Sequence, residues 1–313
     1  MKNWLVRTAA VWLFFALAAT PVMAYELIPG GQVVGLEVQN GTVTVIGFSE
    51  GSRGKAAGLQ EGDVLQAVDG KPVSSVVDVN RALEQAHGSV TLTISRKGKP
   101  QSVRVTPELT ADGARLGIYL KEGITGIGTV TYYDPETGSF GALGHGVNEP
   151  GGKLTKMTGG SVCRAKVASV RRGKTGEPGQ LVGALADPTP MGSLTKNTAQ
   201  GLFGTADGIR GEPLSTAAAQ PGEATILCTV SGTQPQEYSV QILKIYPRSD
   251  TRNLVLRITD PRLLQTTGGI VQGMSGSPII QDGKLIGAVT HVLVNDPTMG
   301  YGIFIENMLD AAA

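Results

Sequence analysis

Apolar side chains recur at every second position through most of this chain, and at helical spacing in one short stretch. Residues 41–48, GTVTVIGF, alternate like a half-buried strand. Residues 74–88, SSVVDVNRALEQAHG, place Val76, Val79, Leu83 and Ala86 on one helical face. Ser74 or Ser75 supplies the cap and Gly88 the stop. Residues 89–98 and 101–109 predict two strands joined at Lys97-Gly98-Lys99. Beyond residue 111 the alternation continues in GIGTVTYYD, VCRAKVASV, TILCTV, YSVQILKIY, NLVLRIT, SPIIQ and LIGAVTHVLV, with no long amphipathic helix. GSFGALGHGVNEPGG and SVRRGKTGEPGQ read as loops. The pattern predicts a mainly β protein of two modules, residues 30–108 and 112–313, the second long enough for a double barrel or a sandwich.

Composition agrees: 44 glycines and 5% aromatics in 313 residues suit a turn-rich β-protein. Lys plus Arg number 27 and Asp plus Glu 26, which gives no sign of a nucleic-acid partner. The two cysteines, Cys163 and Cys228, make no disulfide framework; one bridge or two buried thiols are both open. No histidine neighbours either cysteine and no P-loop occurs, so neither a metal nor a cofactor is expected. Residues 1–24 carry Lys2 and Arg7, an apolar run from 9 to 19, and small residues around Met23. That is a secretory signal, with cleavage expected after Ala24. Left uncleaved, it would tether the chain at a membrane surface. Either way the rest works outside the cytoplasm.

Residues 56–73, AAGLQEGDVLQAVDGKPV, resemble the central signature of PDZ domains of the bacterial protease type. Such domains bind extended peptides by strand addition. The resemblance implies a carboxylate-binding loop in GGQVVGLEV, residues 30–38, with Gly35 and Leu36 nearest the family's loop. A peptide C-terminus, even the chain's own, would dock there. The alternative is that VVGLEV is only a strand with a bulge at Gly35. His87, at the helix end, reads as a solvated residue favoured by the dipole.

Residues 273–278, GMSGSP, put two serines among glycines before an apolar strand, a turn at Asp282-Gly283 and a second apolar strand. A nucleophilic serine needs an exposed hydroxyl, a base, and amide donors for the oxyanion. A glycine-serine turn alone is weak support. The whole run resembles the nucleophile region of chymotrypsin-like serine peptidases, pattern G-[DN]-S-G-G-P, which implies Ser275 as nucleophile and the Gly273 and Ser275 amides as oxyanion hole. Ser277 stands where that family has its second glycine, and Met274 where it has an acidic residue. His145, in GALGHGV, precedes the serine as the base does in that family. His291, in GAVTHVLV, reads as pocket wall or core. For the third member, Asp260 in LRITDPRLL competes with Asp187, Asp207 and Asp250, and reads equally as a strand-end turn residue or cap.

A leader, a PDZ signature, GALGHGV, RITDP and residues 268–309 together resemble the SpoIVB peptidase family, sporulation serine peptidases with an N-terminal PDZ domain. The resemblance implies a chymotrypsin-like double β-barrel and a triad of His145, Asp260 and Ser275. It also implies self-processing and cleavage of a membrane-protein regulator of an intramembrane protease. The setting would be the intermembrane space of a developing forespore, in sigma-factor activation. The alternative is a secreted PDZ scaffold with an inactive peptidase-like domain. An HtrA-like protease fits less well, because its PDZ domain follows the protease.

Overall fold

The computed structural model describes residues 25–111, 113–149 and 151–313; the leader expected over 1–24 lies outside them. Among the described residues the chain forms two closed barrels and a PDZ domain, with only short helices. The turns expected at Lys97-Gly98 and Asp282-Gly283, and a further one at Asp69-Gly70, have positive φ at both positions, the turn whose twist matches paired strands.

Six strands make the first barrel: Val33–Phe48, Ile118–Tyr133, Ser139–Ala142, Gly201–Ala206, Gln180–Thr198 and Gly159–Arg171. Closure comes from the start of Val33–Phe48. One edge pairs with the end of Ile118–Tyr133, Val33 opposite Thr129 and Val38 opposite Ile124. The other pairs with Gly159–Arg171, Val34 opposite Arg164 and Gln39 opposite Gly159. Val34, Leu36 and Val38 enter the core with Val130, Phe140, Val162 and Leu202.

This corrects two expectations. Residues 33–39 are not part of the PDZ domain but a stave of the first barrel, so the 30–108 boundary does not hold. Gly35 and Leu36 form no carboxylate loop, because both strand edges that a peptide would need are already paired. The PDZ domain is an insertion within a hairpin. After a register shift between Val38 and Val43, the same two strands run on together, Val43 opposite Glu122 and Phe48 opposite Ile118.

The PDZ core gathers Val43, Leu65, Val68, Val90, Leu92 and Ile94 under the helix Val76–Glu84, which buries Val79 and Leu83. Ser75 caps that helix by accepting from the Asp78 amide. Asp63 is fully buried, yet accepts from Arg96 Nη2 at 2.6 Å and from the Gln60 amide at 2.8 Å, so its charge is paired. Among the described residues, 118–122 pair on one edge only; Glu122 Oε1 accepts from the Val76 amide at 2.5 Å, tying this strand to the helix.

The second barrel closes through Gly222–Cys228, Gln236–Ile245, Leu254–Ile258, Asp296–Phe304, Lys284–Leu293 and Pro278–Gln281. Strand alternation fills it with Ile226, Val240, Ile242, Leu256, Ile279 and Val289. The helix Ile305–Ala312 buries Ile305 and Met308 in a cluster that joins Tyr132 and Phe203 of the first barrel to Leu285 and Ile303 of the second. Cys163 and Cys228 are both free and buried, and burial pushes the Cys228 thiol up to about 12.

Candidate active site

The residues between the helix Pro261–Thr267 and the strand Pro278–Gln281 fold into a tight loop carrying Ser275 at the junction of the barrels. The first barrel grips it. Thr129 Oγ1 donates to the Gly273 carbonyl at 2.8 Å, Thr131 Oγ1 donates to the Gly276 carbonyl at 2.8 Å, and the Thr129 amide donates to the Ser275 carbonyl at 3.1 Å. Gly276 has φ +95°, and a Cβ there would run into the Thr129 carbonyl, so only glycine lets the loop sit this close. Met274 is fully buried and anchors the turn from below.

These bonds orient two amides. The Gln272 carbonyl accepts from the Leu181 amide at 2.8 Å. A trans peptide points its N–H opposite its C=O, so the Gly273 amide faces away from Leu181. The Met274 carbonyl accepts from the Ser277 amide at 3.0 Å and from Ser277 Oγ at 2.7 Å, which turns the Ser275 amide the other way. Among the described residues no backbone acceptor meets either amide. Ser277 is fully buried and spent on this bond, whereas Ser275 lines the cleft.

His145 follows the strand Ser139–Ala142 of the first barrel. Asn197 holds its segment, accepting from the Val147 amide at 2.9 Å and donating to the carbonyls of Val147 at 2.9 Å and Thr155 at 3.0 Å. His145 Nδ1 lies 3.0 Å from the Gly146 carbonyl. A carbonyl only accepts, so in the neutral ring Nδ1 carries the proton and Nε2 keeps a free lone pair. Burial lowers the His145 pKa from its ordinary 6.5, opposed by the Gly146 bond.

Ser275 and His145 line one cleft of about 530 Å³. Its walls are apolar: Leu36, Val38, Ile124 and Ile127 from the first barrel, Ile270, Val271 and Val292 from the second. Leu36 therefore contributes to this cleft and not to a PDZ groove. The Ser275 hydroxyl donates to the Thr290 carbonyl at 2.7 Å, not to His145. A bulge between Val289 and His291 turns that carbonyl into the cleft. His291, expected as wall or core, lines the same cleft, its ring centroid 5.1 Å from that of His145.

Asp260 is elsewhere. It caps the helix Pro261–Thr267, accepting from the Arg262 amide at 2.9 Å, and pairs with Arg262 Nη2 at 2.8 Å. Arg262 above all holds its carboxyl down at about 2. Both oxygens are engaged, neither contacts a histidine, and Asp260 does not line the cleft. The structure does not bring Asp260 to His145 and Ser275: Asp-Pro at a strand end is here a helix start. Asp187, Asp207 and Asp250 do not line the cleft either. The sequence reading missed Thr129, Thr131 and Asn197, polar residues inside strands whose partners are remote along the chain.

Two closed barrels meeting at a cleft, a histidine from one and a serine loop from the other, define the chymotrypsin-like serine peptidase architecture. Residues 112–309 match the SpoIVB peptidase S55 family, and residues 44–96 match the PDZ domain family. The chain belongs to the SpoIVB peptidase family.

Curated relatives include a putative zinc metalloprotease of Rhizobium meliloti, 33% identical over 28% of this chain and 23% of its own. Another, of Agrobacterium fabrum, is 32% identical over 34% of this chain and 29% of its own. The chain spans about a quarter of the length of these relatives. Among solved structures, the Rv3671c protease of M. tuberculosis in its active form aligns with TM-score 0.38 and 15% identity, covering 61% of this chain and 75% of that one. Its inactive form aligns with TM-score 0.37 and 15% identity, over 59% and 82%.

Proposed function

We propose that this chain is a serine endopeptidase with Ser275 as nucleophile and His145 as general base. The observation that carries the reading is the cleft itself, which His145, Gly273 and Ser275 line together. In the reaction Ser275 Oγ attacks a peptide carbonyl while its proton passes to His145 Nε2. The two amides take the oxyanion, each worth about 3 kcal/mol in such sites. His145 then gives the proton to the leaving amine, and water repeats the sequence to release the acid.

The resting hydroxyl is held by the Thr290 carbonyl. An incoming peptide N–H that takes this carbonyl frees the hydroxyl to turn to His145. The apolar walls favour uncharged side chains beside the scissile bond.

The setting follows from the family resemblance and the leader. We propose an extracytoplasmic enzyme that processes itself and cuts a membrane-protein regulator of an intramembrane protease during sporulation. The PDZ groove lies along the unpaired edge of residues 118–122 beside the helix Val76–Glu84, and takes a peptide C-terminus.

A second reading, a secreted PDZ scaffold with an inactive peptidase-like domain, draws on the Ser275 hydroxyl being bonded away from His145. A fluorophosphonate probe decides between them. Wild type labels, while Ser275→Ala and His145→Ala do not. A folded wild type that resists labelling would sink the peptidase reading.

A further inference from the structure

The bond that orients His145 in the resting structure comes from the carbonyl of its own neighbour, Gly146. A neutral carbonyl at the next residue is a weak partner for a ring that becomes a cation during the reaction. Asp260, the carboxylate expected there, is committed to Arg262 and a helix cap.

His291 stands beside the base instead. The two rings are neighbours in the cleft, tilted by 41° with centroids 5.1 Å apart. His291 Nδ1 is buried and has no partner, one of three such side-chain atoms among the described residues. Buried polar atoms are nearly always satisfied, and exceptions cluster where function requires them. Here the unsatisfied atom belongs to the ring next to the base.

We infer that His291 is the positioning residue for His145: in the productive state His145 Nδ1–H donates to His291 Nδ1, while Ser275 Oγ–H donates to His145 Nε2. Both bonds replace resting ones to backbone carbonyls, the Gly146 carbonyl for His145 and the Thr290 carbonyl for Ser275. Thr290 and His291 are adjacent, so one strand supplies both the resting acceptor of the serine and the working acceptor of the base.

His291 must be neutral to accept. The charged or titratable groups acting on it are His145 and Arg252. Burial first, then these two, push its imidazole down to about 4. The neutral tautomer with the proton on Nε2 leaves Nδ1 a bare lone pair, matching its lack of a partner. No proton is transferred to His291; it holds the ring.

The inference rests on the serine-peptidase reading above. The test uses the full chain with a peptide substrate, the fluorophosphonate probe and thermal unfolding. His291→Phe keeps the ring volume and removes both nitrogens. The expected result is a kcat lower by about 100-fold, the low end of what a positioned general base supplies, with KM within about twofold.

His291→Asn and His291→Gln form a second comparison that does not depend on the Phe variant folding. Asn sets its amide near the Nδ1 position and Gln near the Nε2 position, so Asn is expected to recover about tenfold more kcat than Gln. A folded His291→Phe within about threefold of wild type, or equal rates for Asn and Gln, would overturn the inference. If His145→Ala abolishes labelling while His291→Phe keeps it, the peptidase stands and the inference falls. An unlabelled wild type removes both.

Discussion

Replacing Asp260 separates a structural role from a chemical one. The carboxylate caps the helix Pro261–Thr267 and pairs with Arg262. Arg262 is 65% exposed, so water screens the ion pair, which is worth about 0.2–1 kcal/mol in such settings. The cap adds about 1 kcal/mol. Lowering the pKa from 3.8 to about 2 corresponds to an upper value of about 2 kcal/mol for the charged form, consistent with that sum. Asp260→Ala is therefore expected to destabilise by about 2 kcal/mol, and Asp260→Asn, which keeps a cap acceptor, by less than about 1 kcal/mol.

The pH dependence has a definite sign. The folded pKa lies below the unfolded one, so the carboxylate stabilises fully above 3.8 and its contribution disappears as pH falls through about 2. Urea unfolding at about pH 7 and about pH 3 should show the charge-dependent gap between wild type and Asp260→Ala narrowing at the lower pH. In parallel, fluorophosphonate labelling per folded molecule should be near wild type for Asp260→Asn. If that variant keeps its stability but labels as slowly as Ser275→Ala, Asp260 serves the chemistry and the reading of this helix cap is wrong.

Two more outcomes follow from the site. Thr129→Val keeps the side-chain shape and strands the Gly273 carbonyl, so stability should drop by about 1–3 kcal/mol in thermal unfolding; kcat should fall by about tenfold as the loop loosens, and an unchanged kcat would mean that this grip is not needed. Because burial lowers the His145 pKa, the acid limb of a kcat/KM profile should lie below 6.5; a limb above that value would contradict the geometry described.

The sequence was most informative where the determinants are local. The Ser275 loop, the helix under Ser75 and the three two-residue hairpin turns each follow from a few adjacent residues. The mainly β architecture was also legible in the alternation over some 200 residues, which left a double barrel or a sandwich open; the resemblance to chymotrypsin-like peptidases is what pointed to the barrels. What escaped is long-range. VVGLEV is equally good as a PDZ strand or a barrel stave, and only its partners at residues 124–129 and 159–164 decide. Asp260 before a proline suits a cap and a triad alike, and the Arg262 that occupies its carboxylate in the fold has no signature as its partner along the chain. Thr129, Thr131 and Asn197 look like ordinary polar positions in strands until the loops they hold are folded against them. The orphaned nitrogen of His291 likewise has no signature along the chain, since it is defined by what fails to surround it.

The stave at residues 33–39 makes the two modules inseparable by a single cut. A fragment starting where the peptidase family match begins, at residue 112, would be a barrel with a slat missing, its raw edges at residues 124–129 and 159–164 open to whatever strand comes along. Removing the PDZ domain cleanly would instead mean stitching residue 39 to residue 124, so that the hairpin turns back before it leaves the barrel.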